Sequence, residues 1–360
     1  MIRASARTLL PVEIVLHPSW WHKHAGISFD RDFFYHPVRR VEVEQEMEKV
    51  LRDRFGRYGL WADARRRPVI GAVHNAAGYL VSEMLGCAVE YMEDSAPQVI
   101  CANRELGEID VDGAFNSPAF KRFERLCESL KESYGYLEGD ANWSGVLNLA
   151  LDLWGQGLFL EMLERPDLVH RCLNQIGDVI HRFTSGICAE TGTTSISVNR
   201  TVRHLEPAVF LHSACSLTML PEHLYEEFLL PLDVLWSQEH DAFGIHYCGT
   251  DPHRFAKVFA RLPRLAFLDV GWGGNVAALR AALPETFLNI RLSPVEIVHQ
   301  SPDSIRRLVR DLVRQSGNPW LTGVCCINLD DTVGDETIGA VFEAVAELRA
   351  EVPAKGEKTN

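Results

Sequence analysis

Phe243-Gly244-Ile245-His246-Tyr247-Cys248-Gly249 is the stretch on which the reading of this chain turns. Its apolar start predicts a buried β-strand, and residues two apart on a strand point to the same side. An imidazole and a thiol are therefore aimed together, with Gly249 ending the strand just beyond them. Histidine and cysteine thiolate form a soft, zinc-type ligand pair, but a zinc site needs a third protein ligand. The run Trp320-Leu321-Thr322-Gly323-Val324-Cys325-Cys326-Ile327 offers one. Neighbouring strand residues face opposite ways, so only one of its two thiols points at a metal. Cys325 is the preferred third ligand and Cys326 the alternative. The competing reading is plain packing: a cysteine in an apolar strand is usually a small buried hydrophobe, and a lone histidine there is usually hydrogen-bonded structure.

Outward from that stretch, the chain alternates. From residue 205 onward five strand-then-helix units follow one another, with strands at 209–212, 243–248, 265–270, 287–292 and 319–327. Such alternation predicts a parallel sheet covered by helices. Earlier strand-like pieces at Gln98-Val99-Ile100-Cys101 and Tyr136-Leu137-Glu138-Gly139, with apolar helices between, bring the number of units towards eight. The predicted fold class is α/β, a (β/α)8 barrel, in which chemistry sits at the C-terminal ends of the strands. His212, His246, Cys248, Asp269, Arg291 and Cys325 all fall at or near such ends. Before residue 60 the pattern differs. The strand-like Val12-Glu13-Ile14-Val15-Leu16 runs into His17-Pro18-Ser19-Trp20-Trp21-His22-Lys23-His24, three histidines and two tryptophans in eight residues. Residues 38–58 then read as an amphipathic helix.

Bulk composition bounds the class. The 360 residues are 46% hydrophobic and 24% charged, as in an ordinary globular protein. A net charge of −13 without a long basic run argues against nucleic acid or an anionic membrane as partner. No stretch is read as approaching the roughly 20 apolar residues of a transmembrane helix, and MIRASARTLLPVEIV makes a poor signal peptide. Nine scattered cysteines point to a reducing cytoplasm, with thiols that are structural or metal-binding.

The order Leu220-Pro221-x-His223-Leu224-Tyr225-Glu226-Glu227-Phe228-x-x-Pro231, then His246-x-Cys248-Gly249, then Gly323-x-Cys325, resembles the uroporphyrinogen decarboxylase superfamily. More narrowly, it resembles that superfamily's zinc-dependent, corrinoid-linked methyltransferases. The resemblance spans about residues 95–350 and is strongest from 217 to 327. It implies a (β/α)8 barrel with an N-terminal helical extension. That divides the chain into an extension over 1–94 that packs on and lines the barrel mouth, a barrel over 95–350 and a disordered tail over 351–360. It also implies zinc on His246, Cys248 and Cys325, and a methyl group exchanged between a small-molecule donor or thiol acceptor and a corrinoid (cobalamin) on a separate partner protein. The chain departs from the family in places. The arginine-rich motif of the decarboxylases is missing from residues 1–60, so porphyrinogen decarboxylation is not expected. Asn289-Ile290-Arg291-Leu292-Ser293-Pro294, the Cys325-Cys326 doublet and Asn328-Leu329-Asp330-Asp331 also differ from the family pattern.

Further candidates accompany this set. His212, Asp269 and Arg291 are expected to be catalytic; Asp269 and Arg291 would bind a carboxylate or polar substrate or pair with each other. His212 and Cys215 form a substitute metal pair, though their spacing of three does not suit one strand face. Trp20, Trp21, His22 and Phe34 are expected to line a substrate or flat cofactor, against the alternative that the aromatics merely pack. The competing function is a metal-independent decarboxylase or lyase acting on a small carboxylate. A non-catalytic ligand-binding barrel is a third reading, and a homodimer is an open expectation.

Overall fold

The computed structural model describes residues 3–4, 9–59, 65–75, 78–139, 141–196 and 199–352. Most of the expected disordered tail lies outside them, as does most of the N-terminal stretch considered as a signal peptide.

The core is a curled, all-parallel sheet of six strands: β1 (Val12–Leu16), β2 (Val209–Ser213), β3 (Ala242–His246), β4 (Leu265–Val270), β5 (Phe287–Arg291) and β6 (Thr322–Leu329), in the spatial order β1-β6-β5-β4-β3-β2. β2 to β6 are the five expected units, each followed by helix. Their runs are apolar on both sides because parallel strands are covered on both faces. The eight-stranded closure expected from the sequence is met by six strands among the described residues, with one isolated parallel bridge, Val69 to Glu138, beside them. Two further expectations are corrected. Gln98–Ile100 pairs antiparallel with Ala88–Glu90 in a small separate hairpin. β1, placed by the sequence in an extension, is instead an edge strand of the main sheet, paired with β6 from Val324↔Val12 onward.

Register sets which side chains share a face. Ser213, His246, Asp269 and Asn289 lie in one row across β2–β5. Two residues earlier in each strand, Leu211, Gly244, Phe267 and Phe287 form the row beneath it on the same face, with the two phenyl rings stacked 5.7 Å apart. One row above on that face come Arg291, Cys325 and Glu13. The sheet interior is thus apolar below and polar above, and the change occurs at the His246 row.

The N-terminal segment caps this sheet. Helix Pro18–Ala25 starts where β1 ends, with His17 accepting from the Ser19 amide, and the His17 amide donates to the Leu329 carbonyl at 2.7 Å. Helix Pro37–Phe55 follows, capped by His36 and begun by proline, whose missing N–H costs nothing in a first turn. The segment Val146–Glu164 is, in fact, long and apolar enough by composition to cross a membrane. Here it is broken by a tight turn at Gly155–Gly157, and its residues from Val146 to Leu158 pack largely into the core against helix Pro166–Thr191.

Candidate metal centre

Three ligand atoms converge at the C-terminal end of β2 and β3: those of Cys215, His246 and Cys248 lie within 4.8 Å of one another. His246 is the last residue of β3, and Cys248 lies two residues on, just past the strand end rather than within the strand as the sequence predicts. The third thiol is Cys215, from the short helical turn Cys215–Met219 after β2. Cys325 and Cys326, the expected third ligands, are not in this cluster. Cys325 is fully buried in the row with Arg291 and Glu13, where burial pushes its thiol well up. Cys326 faces the opposite side, near the Leu292 carbonyl, and is pushed up to about 12 by burial.

Backbone contacts hold Cys215 in place. The Ala214 amide donates to the His246 carbonyl at 2.9 Å, joining the turn to the end of β3. Asn148 clamps it from the facing helix, accepting from the Ser216 amide at 2.8 Å and donating to the Ser213 carbonyl at 3.2 Å. Arg254 gathers the carbonyls of Leu217, Thr218 and Leu220. The following glycines are sterically required. A Cβ on Gly249 would stand 2.0 Å from Thr218 Cγ2, and one on Gly271 would stand 1.6 Å from the Gly249 carbonyl oxygen.

The electrostatics divide the two thiols. The Cys215 thiol lies beside the Cys248 sulfur in the cluster. Its influence, with that of the facing His246, holds Cys248 down at about 4 despite its burial. The same interaction, with burial, holds the Cys215 proton on. Burial pushes His246 down, but the charge and hydrogen bond of Asp269 reverse this and raise it to about 9. Asp269 is fully buried and receives three donors: His246 Nδ1, Asn199 Nδ2 and, at 2.7 Å, Asn289 Nδ2. Its role is therefore to orient His246, whose Nε2 is left for the thiol cluster. It makes no ion pair with Arg291 among the described residues.

The other expected site residues separate clearly. His212 faces the covering helices. Its Nδ1 lies 2.7 Å from Asp233, which also accepts from Tyr225 at 2.7 Å, and its Nε2 accepts from the Val146 amide at 3.2 Å. Both ring nitrogens are committed to structure, so His212 does not take the catalytic place that the sequence predicts for it. Trp20, Trp21 and Phe34 are buried in the core: Arg54 stacks on Trp20, Trp21 packs on His74 and Phe34 meets Tyr79 edge-on. His22 is exposed. None of these four lines the cavity beside the cluster.

That cavity has a volume of about 200 Å³ and opens onto Cys215, His246, Cys248, Arg291, Trp143 and Asn328. Arg291 is the one expected catalytic residue that faces it. Asn328 sits at a register break in β6 with φ 70°, in the left-handed region that asparagine tolerates better than most side chains.

No protein-family model matches the chain, and no curated protein matches it. Solved structures do. A methyltransferase from Methanosarcina mazei superposes with a TM-score of 0.63 at 12% identity, covering 94% of each chain. A B12-independent methionine synthase from Shewanella sp. W3-18-1, in complex with selenomethionine, superposes with a TM-score of 0.51 at 7% identity, covering 96% of this chain and 100% of that one. The chain shares the fold of these proteins over nearly its whole length.

Proposed function

We propose that this chain is a zinc-dependent methyltransferase that moves a methyl group between a small thiol or methyl donor and a corrinoid carried on a separate protein. The observation that carries the reading is the cluster of Cys215, His246 and Cys248 with Asp269 behind His246. Two thiols and an imidazole are a donor set that suits zinc, and three protein ligands leave one position for substrate. A carboxylate on the far nitrogen of a ligating histidine fixes its tautomer and raises its basicity. Zinc, when bound, would lower the pKa of a thiol acceptor or polarise the heteroatom that gives up a methyl group.

The protein's own residues supply the rest. Asp269 holds Nδ1–H of His246, so Nε2 is the nitrogen that gives up its proton and would present its lone pair to the ion. Cys248 is set up as a thiolate before any ion arrives. Trp143 walls the cavity, its indole N–H tied to the Thr194 carbonyl at 3.1 Å. The names of the fold neighbours support methyl transfer as the reaction class. One of them is named as B12-independent, so methyl transfer and use of a corrinoid are separable parts of the proposal.

The test is elemental analysis of protein purified without chelators, followed by methyl transfer from methylcobalamin to a small thiol. About one zinc per chain, lost in Cys248→Ala and in Cys215→Ala, with thiol-dependent loss of the methylcobalamin spectrum, is the expected result. Metal-free protein that cannot be loaded would overturn the reading. Zinc-loaded protein inert towards methylcobalamin, free or protein-bound, would overturn its corrinoid part.

A further inference from the structure

Arg291 faces the cavity with part of its hydrogen-bonding capacity unused. The residue is only 7% exposed, yet neither Nε nor Nη1 has a hydrogen-bond partner. No carboxylate lies within ion-pair distance of it among the described residues, since the nearby Asp269 is already engaged by three donors. The Cys248 thiolate and Asp269 supply nearby negative charge, but neither accepts a hydrogen bond from the guanidinium, and buried N–H groups without an acceptor are costly to keep. Trp272 lies 5.6 Å from its centre and restricts it. The residue is also placed to meet a ligand of the cluster. It stands two residues beyond Asn289 on β5, on the same face, which puts it one row above the His246 row. Two residues of strand span roughly 6–7 Å. The polar wall opposite comes from Asn142, Ser144 and Asn148.

We propose that Arg291 is an anion-binding subsite, and that the small molecule acted on at the cluster carries a carboxylate or similar oxyanion a few bonds from its reacting sulfur or other heteroatom. This rests on the proposed reaction for the reacting end of the molecule; the charged end rests on Arg291 alone. A guanidinium meets a carboxylate with two parallel N–H donors, which an alcohol cannot reproduce.

The experiment compares two ligands that differ only in that group. In Co²⁺-loaded protein, 3-mercaptopropionate and 3-mercapto-1-propanol are titrated while the cobalt–thiolate absorption is followed. In metal-free protein, their S-methyl derivatives are titrated by calorimetry. The carboxylate should bind about 10–100-fold tighter than the alcohol in both formats, the range expected for charge-assisted hydrogen bonds. Arg291→Gln should erase the preference and Arg291→Lys should keep part of it. Trp272→Leu, which leaves the guanidinium in place, serves as a second variant should Arg291→Gln fail to fold; it should reduce the preference. Equal binding of the two ligands by the unaltered protein, or a preference that survives Arg291→Gln, would overturn the proposal. A chain that takes up no metal but still prefers the carboxylate would support the subsite while overturning the zinc chemistry. One that loads metal but shows no preference would do the reverse.

Discussion

His246 and Asp269 occupy the same register on the neighbouring strands β3 and β4, and the imidazole Nδ1–H donates a hydrogen bond to the carboxylate. Asn199 and Asn289 hold that carboxylate from two further directions, so the imidazole cannot rotate without breaking a buried network. Asp269→Asn keeps the shape and removes the charge. Metal should still bind, with an affinity lowered about 10–100-fold. Competition against a chromophoric chelator measures this, and an unchanged affinity would show that Asp269 serves only the fold.

The protonation states of the metal-free cluster make a second prediction. Near neutral pH, Cys248 is already a thiolate, Cys215 holds its proton and His246, raised to about 9, is protonated. All three must be deprotonated to ligate, so loading near pH 7 should release about two protons. Affinity should therefore rise with pH, more steeply up to about 9 while His246 and Cys215 both hold protons, and less steeply above it where only Cys215 does. Calorimetry in buffers of different ionisation enthalpy counts the protons directly; release of none would contradict the arrangement.

Much of this was legible in the sequence, and the failures are instructive. β2 to β6 announce themselves because each is a short apolar run followed by an amphipathic helix. Val12–Leu16 reads locally as a strand, but nothing local says that it pairs with a strand more than 300 residues later. His246 and Cys248 are legible because they stand two apart at a strand end, although β3 stops at His246 and the alternation rule reaches only the first of them. Cys215 is hard to weigh from sequence because it sits in a turn, where a spacing rule for strands has no force; its signal is its place directly after a strand end. Trp20 and Trp21 show the limit of composition, since an aromatic cluster reads the same whether it lines a site or fills a core.

That last distinction can be tested. Trp21→Ala should destabilise the protein by about 3–5 kcal/mol, the usual cost of truncating a fully buried tryptophan. His212→Gln should cost about 1–3 kcal/mol by leaving its buried partners short of a hydrogen bond. Neither should change metal stoichiometry in the folded protein. Loss of metal with unchanged stability would return these residues to the site.

Glu48 marks a different part of the molecule. It bridges from helix Pro37–Phe55 to His74 at 2.9 Å and Arg67 at 3.3 Å. Burial pushes its carboxyl up, but His74, Arg200 and Arg67 together bring it down to about 2. A carboxylate lowered in the folded state stabilises fully above its unfolded pKa, near 4.5, and loses that contribution as the pH falls towards 2. The shift corresponds to about 3 kcal/mol at neutral pH. Glu48→Gln should lower stability by that order at pH 7 and by much less near pH 2, as followed by denaturant melts. A loss that does not depend on pH would mean that shape, not charge, is what Glu48 contributes.

The turn that carries Cys215 gives the sharpest test of the metal centre, because a residue outside it controls its position. A methyl group on Gly249 cannot coexist with Thr218 Cγ2 at 2.0 Å, and Tyr247 Cε1 at 3.0 Å blocks movement the other way. Gly249→Ala must therefore push the turn Cys215–Met219 outward, carrying Cys215 away from Cys248. The expected result is metal affinity reduced at least tenfold while His246 and Cys248 remain in sequence. Thr218→Ser removes only the obstructing methyl group. Combined with Gly249→Ala it should recover part of the loss, with the contact to Tyr247 preventing full recovery. The two positions then show a coupling energy that independent sites lack. Additive effects in the double variant would mean that Gly249 serves the backbone alone, and that Cys215 is held to the cluster by other means.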